Sequence, residues 1–201
     1  MGEADIIYNG DSDLWILFAN SLQLRLSMRL ADVNPTLSKS KAEAAIQRGV
    51  FSDQSESAIL YYFGITPHVN SVYSNMIEQG RRDFVASNTI VDIMNDLNDP
   101  RRPYYFSDID GEYIGGRYGY RNVFGQCSQF SAAMLEPDFP AILMDYVEVE
   151  FLLAEASARG YNIGSGTAES HYNNAVLQSI ILWGGSTADA APRRKTHASH
   201  G

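Results

Sequence analysis

Asp11-Ser12-Asp13-Leu14-Trp15-Ile16-Leu17-Phe18-Ala19-Asn20-Ser21-Leu22-Gln23-Leu24-Arg25-Leu26-Ser27-Met28-Arg29-Leu30 can be read with either of two periods. Leu22, Leu24, Leu26, Met28 and Leu30 alternate as a strand would, whereas Leu14, Phe18, Leu22, Leu26 and Leu30 recur every four residues, with Leu17, Leu24, Met28 and Ala31 on another side. The length of the run and the near absence of β-branched residues decide for helix. Asp11-Ser12-Asp13 places capping oxygens just before it. With two apolar faces, such a helix packs between neighbours in a layered helical array.

Further elements follow on the C-terminal side. Ser40 with Glu43 three residues on makes a capping box for a short helix that Gly49 closes. From Phe51 to Gln79 the pattern is mixed: Ala58 to Phe63 suits a strand and Thr66-Pro67-His68 a turn. Ile90, Ile93, Met94 and Leu97 carry a helix from Ser87 until Asn98-Asp99-Pro100 stops it. Two more helices run from Leu143 to Arg159, closed by Gly160, and from Ala168 to Trp183, with Tyr172, Val176, Ile180 and Trp183 on one face. Their short link predicts an antiparallel hairpin, and Ala154-Glu155-Ala156 permits the close approach found in tetratricopeptide-like repeats. The expected class is therefore mainly α. It comprises tetratricopeptide-like helix pairs with helices near 13–33, 40–49, 87–98, 143–160 and 167–183, and a long irregular excursion over 100–140 in which Gly and Tyr abound. Residues 1–185 read as part of one domain, and 186–201, with Pro192, three basic residues and no apolar period, as a disordered and foreign tail.

Composition sets outer limits. The chain has 201 residues, 45% hydrophobic and 11% aromatic, enough to bury a sizeable core. Twenty-four acids against fifteen Lys and Arg give a net charge of −9, the wrong sign for a phosphate-binding protein, so nucleic acid is not an expected partner. Cys127 is the single cysteine and reads as a small, semi-buried apolar residue.

Enzyme signatures are missing: there is no Gly-x-Ser-x-Gly elbow, phosphate loop, dinucleotide fingerprint or His-Glu-x-x-His. His68, His171, His197 and His200 are scattered without metal-ligand spacing, and no cofactor is expected. Asp145, Glu148, Glu150 and Glu155 share one helix, where they cannot face each other across a sugar bond as a glycosidase pair must. Asp108-Ile109-Asp110-Gly111-Glu112 begins like a calcium loop, but its third acidic ligand and distant closing Glu are absent. The better lead is aromatic. Tyr104, Tyr105, Phe106, Tyr113, Tyr118, Tyr120 and Phe124, with Arg117 and Arg121 interleaved, lie on the glycine-rich excursion. Sugar C–H faces lie on aromatic rings while Tyr hydroxyls and Arg groups bond the ring hydroxyls, so Tyr104, Tyr105, Tyr113, Arg117, Tyr118 and Tyr120 are the expected ligand-binding residues. The alternative is that these tyrosines pack the loop onto the helices of a protein- or peptide-binding scaffold.

Several segments also resemble one family. Ile7-Tyr8-Asn9-Gly10-Asp11, Trp15, Phe18-Ala19-Asn20-Ser21-Leu22 and Leu24-Arg25-Leu26-Ser27-Met28-Arg29 are similar to the Y-G-G-D…W-x-x-F-A-N-S-L-x-L-R-L-x-x-R stretch of the SusD/RagB superfamily. Asn98-Asp99-Pro100-Arg101 resembles its N-D-P-R segment. Tyr113 with Gly115, and Met144-Asp145-Tyr146-Val147-Glu148-Val149-Glu150-Phe151-Leu152-Leu153-Ala154-Glu155-Ala156 with Gly160, resemble its later Y-x-G and M-x-Y-A-E-V-x-F-L-x-A-E-A segments, and Tyr172 with Ile180 to Gly184 its closing helix. The resemblance covers about residues 5 to 185 in the family's order. It implies helix pairs supporting an irregular ligand-binding region, and a non-catalytic protein lipid-anchored on the outer surface of Gram-negative bacteria. Such a protein hands oligosaccharides, sometimes peptides, to a TonB-dependent, SusC-like transporter. The family's lipoprotein cysteine and N-terminal helix pairs have no counterpart here, and the tail Ala191-Pro192-Arg193-Arg194-Lys195 does not resemble the family. The resemblance thus implies a C-terminal portion, in which unpaired apolar faces such as the second stripe of the first helix favour self-association.

Overall fold

The computed structural model describes Gly2 and residues 4–190. They form two compact units, one from residues up to 68 together with 138–179, the other from 69–137 together with residues from 180 onward.

The first unit holds α1 (Ser12–Arg29), α2 (Pro35–Arg48), β1 (Ala58–Leu60), β2 (Ala141–Met144), α6 (Tyr146–Ala158) and all but the last turn of α7 (Ala168–Leu182). Asp11 caps α1, its carboxylate accepting the N–H groups of Asp13 and Leu14. Leu24, Met28, Ala42, Ala45, Phe51, Met144, Val149 and Ala156 form the core. Two polar residues of α1 fix the end of α2: Asn20 Nδ2 donates to the Gly49 carbonyl at 2.9 Å and Ser21 Oγ accepts the Phe51 N–H at 2.9 Å. The N-terminal turn wraps around Asp5, whose carboxylate accepts the N–H groups of Ile7, Tyr8 and Gly10 and the Trp15 indole. The indole bond above all holds this acid at about 2, against opposition from burial.

β1 and β2 pair antiparallel, Ala58 opposite Met144 and Leu60 opposite Ala141. The register slips between Ala58 and Ile59, which leaves Leu143 outside the pairing, and Arg25 of α1 donates to its carbonyl at 3.3 Å. The same guanidinium grips both oxygens of Glu148 on α6. α6 and α7 run antiparallel, joined by side chains at matching depth. His171 Nδ1 lies 2.8 Å from Glu150 Oε2, Asn174 donates to the Tyr146 hydroxyl at 2.8 Å, and the Phe151 and Tyr172 rings meet edge to face.

The second unit contains a short turn of helix, α3 (Ser71–Tyr73), running into a wider turn at Ser74–Glu78, then α4 (Asn88–Asp96) and α5 (Arg102–Tyr105). Its backbone is otherwise irregular.

The class is mainly α, with the two-stranded ladder as its only sheet among the described residues. Several local expectations are corrected. The helix expected from Ser40 begins at Pro35 instead, because Asn34 accepts the Leu37 N–H and Pro at the first turn needs no donor, so the Ser40–Glu43 box goes unused. The helix expected from Leu143 begins at Tyr146: residues 141–144 are taken by the ladder, and Asp145, in extended backbone, caps the helix through the Glu148 N–H. On α1 the second stripe, Leu24, Met28 and Ala31, is the buried one, and Leu26 and Leu30 of the other are exposed. Thr187–Ala190 form a short 3-10 turn, and the rest of the expected disordered tail, 191–201, lies outside the described residues.

Two consequences are measurable. Arg25→Met removes the tie from α1 to Glu148 and Leu143 and is expected to lower unfolding free energy by about 1–2 kcal/mol in urea titration, the pair being partly solvated. His171 faces acceptors on both sides, Glu150 and the Ser165 carbonyl at 3.0 Å, an arrangement that favours the protonated ring. Burial pushes its pKa down, but the Ser165 and Glu150 bonds outweigh that and raise it above 6.5. A raised pKa contributes stability that is fully present below 6.5 and lost as pH rises through the folded-state value. Melting temperature of the parent chain should therefore fall relative to that of His171→Gln between acid and mildly alkaline pH.

Candidate functional site

The aromatic residues of the excursion, Tyr104 to Phe124, lie in the second unit, whose backbone explains which rings it displays. Ser87 caps α4, accepting the Thr89 N–H, and the segments before α4, around Gly116 and around Ser128 are laced side by side. Ala86 N–H donates to the Ser128 carbonyl, Gly116 N–H to the Ala86 carbonyl, Asn88 N–H to the Gly116 carbonyl and Ser128 N–H to the Ile114 carbonyl, all at 2.7–2.8 Å. The lacing requires glycine. A Cβ on Gly115 would sit 2.3 Å from Asn88 Cα, and one on Gly116 2.7 Å from Val85 Cγ2.

A tight turn, residues 117–120, projects from this base, with Gly119 at φ +76°. Two asparagines brace it. Asn122 Oδ1 accepts the Arg117 N–H at 2.9 Å while its Nδ2 donates to the carbonyls of Arg117 and Tyr120, and Asn88 Oδ1 accepts the Tyr118 N–H at 3.0 Å. The turn presents Tyr118 at 76% and Tyr120 at 60% exposure. Arg117 lies over the Tyr120 ring, its guanidinium carbon 3.7 Å from the centroid. Arg82 stacks likewise on Phe124 at 5.5 Å, and Val123 is exposed beside it in sequence.

Three of the six expected residues are thus brought together: Arg117, Tyr118 and Tyr120. The structure puts the other three to different uses. The Tyr104 hydroxyl donates to the Gly184 carbonyl at 2.8 Å, and its ring occupies the space that a Cβ on Gly184 would need. Tyr105 packs edge to face on Trp183, centroids 4.4 Å apart. Half-buried Tyr113 lies under Arg102, and burial pushes its phenol upward. Asn88, Asn122 and Arg82 were not singled out in sequence, since a bracing amide has no spacing signature. Only the adjacent Gly115-Gly116 pair hinted at a close backbone approach.

The acidic residues are engaged elsewhere. Asp99 binds the Arg101 guanidinium through both oxygens; burial raises its pKa, but the Arg101 bonds outweigh that and lower it. Asp108 accepts the Gly111 N–H, which makes the calcium-like stretch a turn closed on itself. Among the described residues no group of three His, Cys, Asp or Glu side chains is placed to hold a metal ion, and no helix is long and apolar enough to cross a membrane.

Comparison with known proteins places this architecture. The SusD-like family, described as starch-binding and associating with the outer membrane, matches residues 1–196. Similar solved structures include a chitin-binding SusD homologue from Flavobacterium johnsoniae, 30% identical with a TM-score of 0.80, covering 92% of this chain and 39% of that one. A SusD homologue from Bacteroides uniformis is 30% identical with a TM-score of 0.81, over 94% of this chain and 41% of that one. Another, from Bacteroides thetaiotaomicron, is 29% identical with a TM-score of 0.81, over 92% and 40% respectively. This chain therefore spans about two fifths of the length of these relatives. No curated protein matches the sequence. With the family matched over nearly the whole sequence and the same fold in solved members, the chain belongs to the SusD-like family.

Proposed function

We propose that the turn bearing Arg117, Tyr118 and Tyr120 is a docking surface for oligosaccharides in a non-catalytic binding protein. The observation that carries this reading is the exposure of two tyrosine rings on a turn whose backbone is fixed by Asn88 and Asn122. A ring held still in solvent binds a sugar face without first losing its own freedom. Tyr104, Tyr105 and Tyr113 serve packing rather than ligand contact in this reading, and the starch- and chitin-binding descriptions of the family and of its solved members agree with a glycan ligand.

Absence of catalysis is supported by the acidic helix. Glu148 is held by Arg25, Glu150 by His171 and Glu155 by Arg159 in ion pairs, and Asp145 spends its carboxylate on capping the helix, an arrangement that speaks against a pair acting on a glycosidic bond. The same reading takes residues 1–185 as part of a longer surface protein of the outer membrane, lipid-anchored, that passes its ligand to a SusC-like TonB-dependent transporter. A pulldown with that transporter tests the last step.

Affinity electrophoresis against a polysaccharide panel tests the docking surface. Retarded migration is expected for at least one glycan. Tyr118→Ala and Tyr120→Ala should each weaken that binding about tenfold at unchanged melting temperature, since each removes an exposed stacking face. Gly115→Ala keeps every ring but forces the loop off α4. It should weaken binding too, and lower stability by about 1–3 kcal/mol. Retardation that survives all three substitutions would remove the turn from consideration.

A further inference from the structure

We infer that this surface selects acidic oligosaccharides, those bearing carboxylate or sulfate groups, through the guanidinium groups of Arg82, Arg117 and Arg121. The inference rests on the glycan-binding reading and adds the class of sugar.

Charge is unevenly placed in the chain. Against 24 acids overall, the stretch from Tyr113 through Leu135 contains no Asp or Glu and two arginines, Arg117 and Arg121. The hydrogen-bond lacing joins the segment after Arg82 to this stretch, through Ala86 with Gly116 and Ser128, and Arg82 itself reaches Phe124. Apart from Arg29 in the last turn of α1, the other described arginines have ionic or polar partners: Arg25 has Glu148, Arg48 has Asn20 and Gln23, Arg81 has Asp83, Arg101 has Asp99, Arg159 has Asp32 and Glu155, and Arg102 is engaged by Asn95 and Asn98. Among the described residues, no carboxylate pairs with Arg82, Arg117 or Arg121, and all three are exposed. Of the nearby acids, Asp83 is bound by Arg81, Asp92 lies 3.5 Å from the Asn88 amide, and Glu112 and Glu136 bound the stretch on either side.

Two of the three cations are also positioned. A guanidinium lying face-on over a ring, as Arg117 does over Tyr120, keeps its edge N–H groups, the ones that grip a carboxylate or sulfate in a fork. Arginine donates and never accepts. A neutral sugar offers hydroxyls that want acceptors as well as donors, whereas the three arginines supply donors only. An acidic sugar brings acceptors of its own and leaves its C–H face for Tyr118.

The test uses the intact chain and four probes: oligogalacturonate for carboxylate, chondroitin sulfate oligosaccharide for sulfate, chito-oligosaccharide as neutral sugar, and poly-glutamate as an acidic chain without sugar. At about 20 mM NaCl the better of the two acidic glycans is expected to bind at least about tenfold tighter than the neutral one, and the gap should shrink to about twofold near 300 mM as the charges are screened. Whichever acidic probe is preferred names the anion. Arg82→Gln with Arg121→Gln, which leaves Arg117 in place, should cut the preference to about threefold at an unchanged melting temperature. Equal affinity for neutral and acidic sugars would overturn this inference and leave the stacking surface standing. Binding of poly-glutamate as tight as that of the acidic glycan would overturn it as well, since charge alone would then suffice. Failure of every glycan to bind would overturn both.

Discussion

The pairing of β1 with β2 is the constraint on which the architecture depends. It brings Leu60 opposite Ala141, and closing a loop of that length costs entropy that three or four strand residues cannot offset alone. Bonds beyond the ladder hold it in place. Tyr146 N–H donates to Ser57 Oγ at 3.0 Å, and Arg25 joins the bulged Leu143 carbonyl to Glu148 one turn into α6. Once these positions are fixed, everything between must leave the helical unit and return to it. Within the second unit, the Asn70 N–H bonds the Pro137 carbonyl at 2.8 Å, so the two ends of its segment 69–137 are fastened to each other as well.

An excursion without long helices must satisfy its backbone by other means. Asn95 donates to the Tyr113 carbonyl, Ser128 Oγ accepts the Ile114 N–H, Ser131 donates to the Tyr104 carbonyl, and Asn122 alone accounts for three groups of the exposed turn. These short polar side chains replace the ladder that a sheet would have provided. The result is an irregular loop with a defined shape, which is what a binding surface requires: aromatic area in solvent, placed in advance.

How much of this could be read from sequence depended on the range of the interaction involved. α1 was legible because its cap, its length and its residue types all act within a few neighbours, and the end of α4 was legible because Asn98 and Pro100 cannot continue a helix. The start of α6 was not. Leu143 and Met144 fit a helix by local preference, and only the pairing of β2 with β1, far away in the chain, makes this segment strand. Ser40 and Glu43 match a capping pattern, yet Asn34-Pro35 starts the helix earlier and leaves them in its interior. The six expected ligand residues divided for the same reason. Composition marks tyrosines as suited to sugars, but whether a ring packs on Trp183, as Tyr105 does, or stands in solvent, as Tyr118 does, is settled by contacts that spacing does not encode.

Net charge illustrates the same limit from the other side. A value of −9 is a sum over the whole chain, and as a sum it argues soundly against a polyanion wrapping the molecule. A ligand a few sugar units long samples only the charges within about one Debye length, roughly 10 Å at moderate salt, and there the local sign governs. In the stretch from Tyr113 to Leu135 that sign is positive, because its acids are absent and its arginines are stacked on rings or exposed without carboxylate partners among the described residues. An acidic protein can therefore carry a surface that suits an acidic sugar.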